Sequence, residues 1–214
     1  SKWKIEYSKS IYVPSKYKIN NNIPEYKEWD YIVHWTKTCH GPSPNEKAAG
    51  FYKRLLESNK HYPGNAFETL LNIIKSNKIC GSSEKIREGR SVVGFSEIRP
   101  DEMIKQIRWR HNRVNYNFEP YGVAIRKNAA SKLGIRPVIY GNSSDYKTLP
   151  DSDKPFFQNK GEKNVDWSYE REWRHLGDLD LNEIDQENLA FLVWKDEEMT
   201  ILKNLIQSPI YTLG

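Results

Sequence analysis

The most reactive side chains of the chain gather at the end of one short apolar run. In "YIVHWTKTCHGPSPNE", positions 31 to 46, the run ends in His34-Trp35-Thr36 and drops into a Gly-Pro-Ser-Pro loop. Two of the five histidines, His34 and His40, sit there with Cys39, one of only two cysteines. Such residues serve a metal ion, a nucleophile with its base, or a grip on a ligand. Metal binding calls for spacings such as CxxC, HxxxH or HExxH, and none occurs. A cysteine nucleophile would pair Cys39 with His34 or His175, but no local signature marks the pair. A ribonuclease would use His34, His111 or His175 as acid and base, again without a pairing signature. A Rossmann or P-loop phosphate cradle is excluded, because neither GxGxxG nor a Gly-Lys-Ser/Thr loop is present.

A second group lies in "DWSYEREWRHLGDL", positions 166 to 179. In a strand, alternation would put Glu170, Glu172, Arg174 and Leu176 on one face. Tyr169, Arg171, Trp173 and His175 would share the other. Two carboxylates and a guanidinium are costly to bury without purpose. They fit either a solvated edge with a Glu–Arg ladder or a ligand-facing strand whose carboxylate orients a sugar hydroxyl. "GFSEIRP" places Ser96 and Glu97 at a strand end, where they serve a site or the entry to the helix at Pro100. "IRWRHNRVNYNFEPYGVAI" sets Arg108, Arg110 and Arg113 beside Trp109, Tyr116 and Tyr121. Arginine binds phosphate bidentately and an aromatic stacks on a ring. The same interleaving marks RNA binders, and equally an exposed helix face.

The elements that must position these residues follow from pattern. Strands are expected over 31–36, 91–97, 122–126, 136–140, 169–176 and 189–194, with a terminal "PIYTL". "NEKAAGFYKRLLESN" reads as a helix. "NAFETLLNIIKSN" reads as a stronger one, with Asn65 as its cap, Glu68 completing a capping box, and Leu70, Leu71 and Ile74 as a stripe. Further helices are expected in "DEMIKQIRWRH" after Pro100, in "NAASKLG" up to Gly134, and in "DEEMTILKNLI". Residues 142 to 166 read as a long functional loop. Strands and helices mix without a βαβ rhythm, so the expected class is α+β. Residues 1–28 are expected to form an N-terminal arm, and 29–214 a single α+β domain.

The 214 residues are 37% hydrophobic and 29% charged, enough for a folded core. A net charge of +5 tolerates anionic partners, although Lys and Asp/Glu are interspersed. Two cysteines, Cys39 and Cys80, make no disulfide framework. Without a signal peptide or an apolar run near 18 residues, no membrane partner is expected and the cytoplasm is the simplest location. The chain begins at Ser1, as a processed or engineered fragment would.

In chain order these pieces form a pattern: a strand ending His-x-Thr, the helix "TLLNIIKSNKI", a strand ending Phe-Ser, "PYGVAI", "RPVIYG" and "WSYEREWR". Over about residues 31 to 195, the chain resembles uncharacterised bacterial families found around abortive-infection and phage-defence genes. Their late motif is Trp-Ser-x-Glu-x-Glu-(Trp/Tyr)-Arg. More distantly it is similar to the ADP-ribosyltransferase-like fold, including the DNA-modifying toxin branch with its early His-x-Thr. The resemblance implies a central, mainly antiparallel, split sheet with flanking helices, and NAD as substrate. His34 would contact the ribose and amide region with Thr36 beside it, Ser96 would stand on the middle strand, and the catalytic carboxylate would be Glu170 or Glu172. Arg110, Tyr121 and Arg174 complete the expected NAD-binding set, Arg174 by anchoring one of the two glutamates. Breaking the nicotinamide–ribose bond builds oxocarbenium character that a carboxylate on the 2′-hydroxyl stabilises.

Two functions follow as expectations. One is an NAD-consuming enzyme, an ADP-ribosyltransferase or NAD glycohydrolase acting as a toxin or phage-defence effector, with a nucleic-acid or protein acceptor. The other is a non-enzymatic nucleic-acid or partner-binding module of a defence system. A cleft shared by His34 and a late glutamate would favour the first.

Overall fold

The computed structural model describes residues 29–42, 46–58, 64–84, 86–107, 109–110, 115–116, 118–161 and 167–214. The expected arm at 1–28 lies outside them. In the first half of the chain the elements are β1 (Tyr31–Trp35), α1 (Ala48–Glu57), α2 (Ala66–Ser76), β2 (Lys78–Ile79), β3 (Val92–Ser96), α3 (Pro100–Lys105), β4 (Trp109–Arg110) and β5 (Asn115–Tyr116). Then come β6 (Gly122–Arg126), α4 (Lys127–Lys132), β7 (Arg136–Pro137), β8 (Ile139–Gly141), α5 (Ser143–Thr148) and β9 (Phe157–Asn159). The last are β10 (Glu172–Leu176), β11 (Leu179–Asp180), β12 (Leu189–Val193), α6 (Asp196–Lys203) and β13 (Ile210–Thr212).

Seven strands form one sheet in the order β13-β12-β6-β1-β3-β10-β7. Every pairing in it is antiparallel except β12 with β13. The chain is therefore α+β with a mainly antiparallel mixed sheet. β1 runs through the centre because its β-branched and aromatic residues can be buried on both faces. The approach of β6 is close: a Cβ on Gly122 would lie 2.8 Å from both the His34 carbonyl oxygen and Val33 Cγ1.

The period of two sorts the side chains. Ile32, Val93, Phe95, Val123, Ile125 and Phe191 pack with Leu70, Leu71 and Ile74 of α2 on one face, here the α2 face. Trp29, Tyr31, Val33, Trp35, Ala124 and Leu192 pack with Met103 and Ile104 of α3 on the other, the α3 face. The sequence stripe of α2 is thus the inner stripe. Asn65 accepts the backbone N–H of Glu68 at 2.8 Å, as expected of an N-cap. The helix stops at Asn77, whose φ of 50° is left-handed.

Four sequence expectations need correction. The strand expected over 136–140 is divided: Arg136–Pro137 pairs with β10, the Val138 N–H still reaches the Glu172 carbonyl at 2.8 Å, and Ile139–Gly141 pairs instead with β9. The strand expected over 169–176 begins only at Glu172, because Trp167–Glu170 is a 3₁₀ turn and Arg171 takes a left-handed φ of 44°. The helix after Pro100 ends at Lys105, and Trp109–Arg110 pairs as a strand with β5. The long loop of 142–166 holds α5 and β9.

Leu70 is fully buried on α2, whereas Leu56 on α1 is 84% exposed. Leu70→Ala should therefore cost about 2–5 kcal/mol in urea unfolding, and Leu56→Ala no more than about 0.5 kcal/mol.

Candidate functional site

On the α2 face, the end of β1 is tied down rather than open. His34 Nδ1 donates to the Gly94 carbonyl at 2.9 Å, and its ring meets Phe95 edge-on at 5.8 Å. Desolvation by the surrounding protein holds its pKa below the ordinary value, against the raising effect of the Gly94 hydrogen bond. The neutral ring thus carries its proton on Nδ1, and Nε2 keeps its lone pair. Thr36 is buried, and its hydroxyl donates to the Ala66 carbonyl at 2.8 Å, fixing the first turn of α2. Tyr121 donates to Glu198 at 2.9 Å and packs on Phe67; burial and then the Glu198 carboxylate raise its pKa. Cys39 is partly buried and bonds through its backbone N–H to Gly64, while His40 is exposed. No group of three or more metal-ligating side chains occurs among the described residues.

On the α3 face, the other side of β3, stands a different constellation. Arg174 is 2% exposed and all its donors are used. Nε and Nη2 hold the two oxygens of Glu172 at 2.8 and 3.0 Å. Nη1 reaches the carbonyls of Pro155 and Phe157 at 3.1 and 3.0 Å, and Nη2 also reaches Gln158 Oε1 at 2.8 Å. Five N–H groups meet five acceptors, which is what a guanidinium needs to be buried. Ser96 lies opposite Glu172 in the ladder; its hydroxyl donates to the Glu170 carbonyl at 2.9 Å and accepts the Ile98 N–H. The Glu172 N–H donates to the Tyr140 hydroxyl at 3.0 Å. Burial pushes the Tyr140 pKa up to about 12, with the Glu172 and Glu170 carboxylates adding to it. Glu170, in the 3₁₀ turn, accepts the Tyr169 hydroxyl at 3.4 Å.

The expected site residues therefore divide. Ser96, Glu170, Glu172 and Arg174 come together. His34, Thr36 and Tyr121 belong to the other face, because cross-strand partners share a face and Ser96 is partnered by Val33, the residue before His34. The expected convergence of His34 with a late glutamate in one cleft is not formed. The expected common strand face for Glu170 and Glu172 also fails, since β10 begins at Glu172. Arg174 does anchor one glutamate, Glu172, as expected. Arg110 stands in β4, of which only the backbone is described. As one NAD site, the expected residue set does not fit.

Tyr140, Gln158 and the Pro155 and Phe157 carbonyls were not found by sequence reasoning. Tyr140 closes the strand expected over 136–140 with no sign of its partner, and backbone carbonyls leave no mark in a sequence. Glu97, set beside Ser96 at a strand end by the sequence, lies on the α2 face and accepts Lys127 Nζ at 2.6 Å and Trp173 Nε1 at 3.0 Å, two partners that sequence reasoning did not give it. Burial would raise its pKa, yet these two hydrogen bonds hold it below the usual carboxylate value. Compared with known proteins, the chain matches no family model, no curated protein and no solved structure.

Removing the guanidinium by Arg174→Ala leaves Glu172 and three further acceptors unpaired, and should cost about 3–5 kcal/mol in urea unfolding. Arg174→Lys should recover less than half of it, because a point charge cannot serve five acceptors. For His34, the folded pKa is depressed, so the unfolded state takes up the proton first. The stability it contributes is present above the unfolded value of 6.5 and is lost as pH falls toward the folded one. Urea unfolding between about pH 7 and pH 5 should show this slope, and His34→Gln should flatten it. An NMR midpoint for the His34 ring at or above the free-histidine value would contradict the assignment.

Proposed function

We propose that the chain is a non-enzymatic nucleic-acid-binding module of the defence-associated kind, engaged through the β4–β5 ribbon. One observation carries this reading. Trp109 pairs with Tyr116 and Arg110 with Asn115 in a two-stranded antiparallel ribbon. The ribbon lies in a stretch, residues 103–118, with four basic residues (Lys105, Arg108, Arg110 and Arg113) and no acidic one. Aromatics offer stacking surfaces and arginines neutralise phosphates. A two-stranded ribbon also has the width of a duplex major groove. The β10 side is less suited to an anion. Its bases are engaged by acids: Lys127 with Glu97, Arg171 with Glu102, Arg174 with Glu172 and Arg136 with Asp153.

A second reading is favoured by the anchoring of Glu172. Arg174 holds that carboxylate and leaves Glu170 outside the pair, which is the division of labour expected of an NAD-consuming enzyme. Such an enzyme, an ADP-ribosyltransferase or NAD glycohydrolase serving as toxin or phage-defence effector, would be built on Glu170 without His34. No reaction step is assigned to it.

Fluorescence anisotropy with labelled single-stranded RNA, single-stranded DNA and duplex DNA separates the two. Binding should weaken linearly in log affinity against log salt, and Arg110→Ala should reduce the slope by about one. Absence of binding at low salt, or an Arg108→Ala/Arg110→Ala/Arg113→Ala variant of undiminished affinity, would overturn the binding reading. Nicotinamide release from NAD, lowered by roughly 10²–10³ in Glu170→Gln, would establish the enzyme instead.

A further inference from the structure

A cleft of about 750 Å³ opens away from both groups of expected site residues, where the C-terminal ends of α2 and α6 meet the chain between β11 and β12. Its volume falls in the range of small-molecule sites. Ile74, Ile184, Phe191 and Ile206 are among its apolar lining residues. Asn77, Gln186, Asn204 and Gln207 are carboxamide residues of the lining, and a fifth, Asn182, gives its Nδ2 to Asp180 at 2.8 Å. Ser208, also in the lining, is 7% exposed.

The charges of this cleft select against anions. Asp185 and Lys203 are the charged lining residues, and they cancel. Helix α2 ends at Ser76 with its cap at Asn77, and α6 ends at Lys203 with its cap at Asn204. Both helices therefore present carbonyl ends to the cleft, where the helix dipole is negative. A phosphate entering here would meet two negative helix ends and a carboxylate against a single ammonium.

We infer that this cleft binds an uncharged nucleoside through its base, with adenosine the best match. A carboxamide presents a donor and an acceptor side by side, the pair that Asn and Gln use on the N6/N7 edge of adenine. The apolar lining residues, Phe191 and the isoleucines, take the flat apolar face of the base. The inference stands apart from the nucleic-acid reading, since a phosphodiester backbone is excluded here for the same electrostatic reason as a nucleotide.

The test is titration of the full chain with adenosine, uridine and adenosine 5′-monophosphate, followed by amide NMR shifts and calorimetry. Adenosine should bind, with shifts at 74–77, 181–191 and 203–208. Uridine and the monophosphate should each bind at least about tenfold more weakly. The Gln186→Ala/Asn204→Ala/Gln207→Ala variant alters exposed side chains, so its thermal melt should match the parent, and it should lose about tenfold or more in adenosine affinity. No adenosine binding at millimolar concentration overturns the inference. So does a monophosphate that binds as tightly as adenosine, or an undiminished affinity in the folded triple variant.

Discussion

A buried guanidinium must find five acceptors at once, and Arg174 finds them in two separate pieces of chain. Glu172 supplies two from its own strand, the Pro155 and Phe157 carbonyls supply two more, and Gln158 supplies the fifth. The segment from α5 to β9 is thereby stitched to the edge of the sheet, where β7 adds only two residues of ladder. Burying a charge on these terms is tolerable only because nothing is left unpaired. The same completeness removes Arg174 from ligand chemistry, since it has no N–H left for a phosphate.

Glu172 inherits this constraint. Its two oxygens are aligned by one rigid fork, and its backbone N–H rests on the Tyr140 hydroxyl. A carboxylate fixed this firmly is either a structural counter-ion or a preorganised contact, and the surroundings speak for the first. Ser96, its cross-strand neighbour, is already engaged with Glu170 and Ile98. The polar groups of this corner satisfy one another.

The sequence carried the strands and helices with strong periodicity and lost the places where one residue changes the path. β1, β3, β6 and β12 were legible from their apolar β-branched residues, and α2 from its cap and stripe. The change of partner after Val138 and the left-handed turn at Arg171 were not, although each shifts which residues share a face. For the site, the pairing of Glu172 with Arg174 was readable from their spacing of two, while the remaining acceptors of Arg174 are partly backbone atoms 16–19 residues away. Relative facing was the decisive loss. His34 and Glu172 each lie on a strand that was correctly expected, but which face each strand turns up depends on the register between β1 and β3. Val33 opposite Ser96 fixes that register.

That single register has functional weight. Had His34 rather than Val33 stood opposite Ser96, the imidazole, the serine and Glu172 would have lined one face of three adjacent strands. A one-residue offset in a sheet with period two moves every side chain of a strand to the other side. Here the offset places the imidazole under α2 and beside Phe95, in surroundings that keep it neutral. It leaves the α3 face with the carboxylate, whose counter-charge is Arg174. Neither face then holds the His34 imidazole and a late glutamate together. The reactive crowd at the end of β1 acts as a clasp instead, with His34 on Gly94 joining β1 to β3 and Thr36 on Ala66 joining β1 to α2.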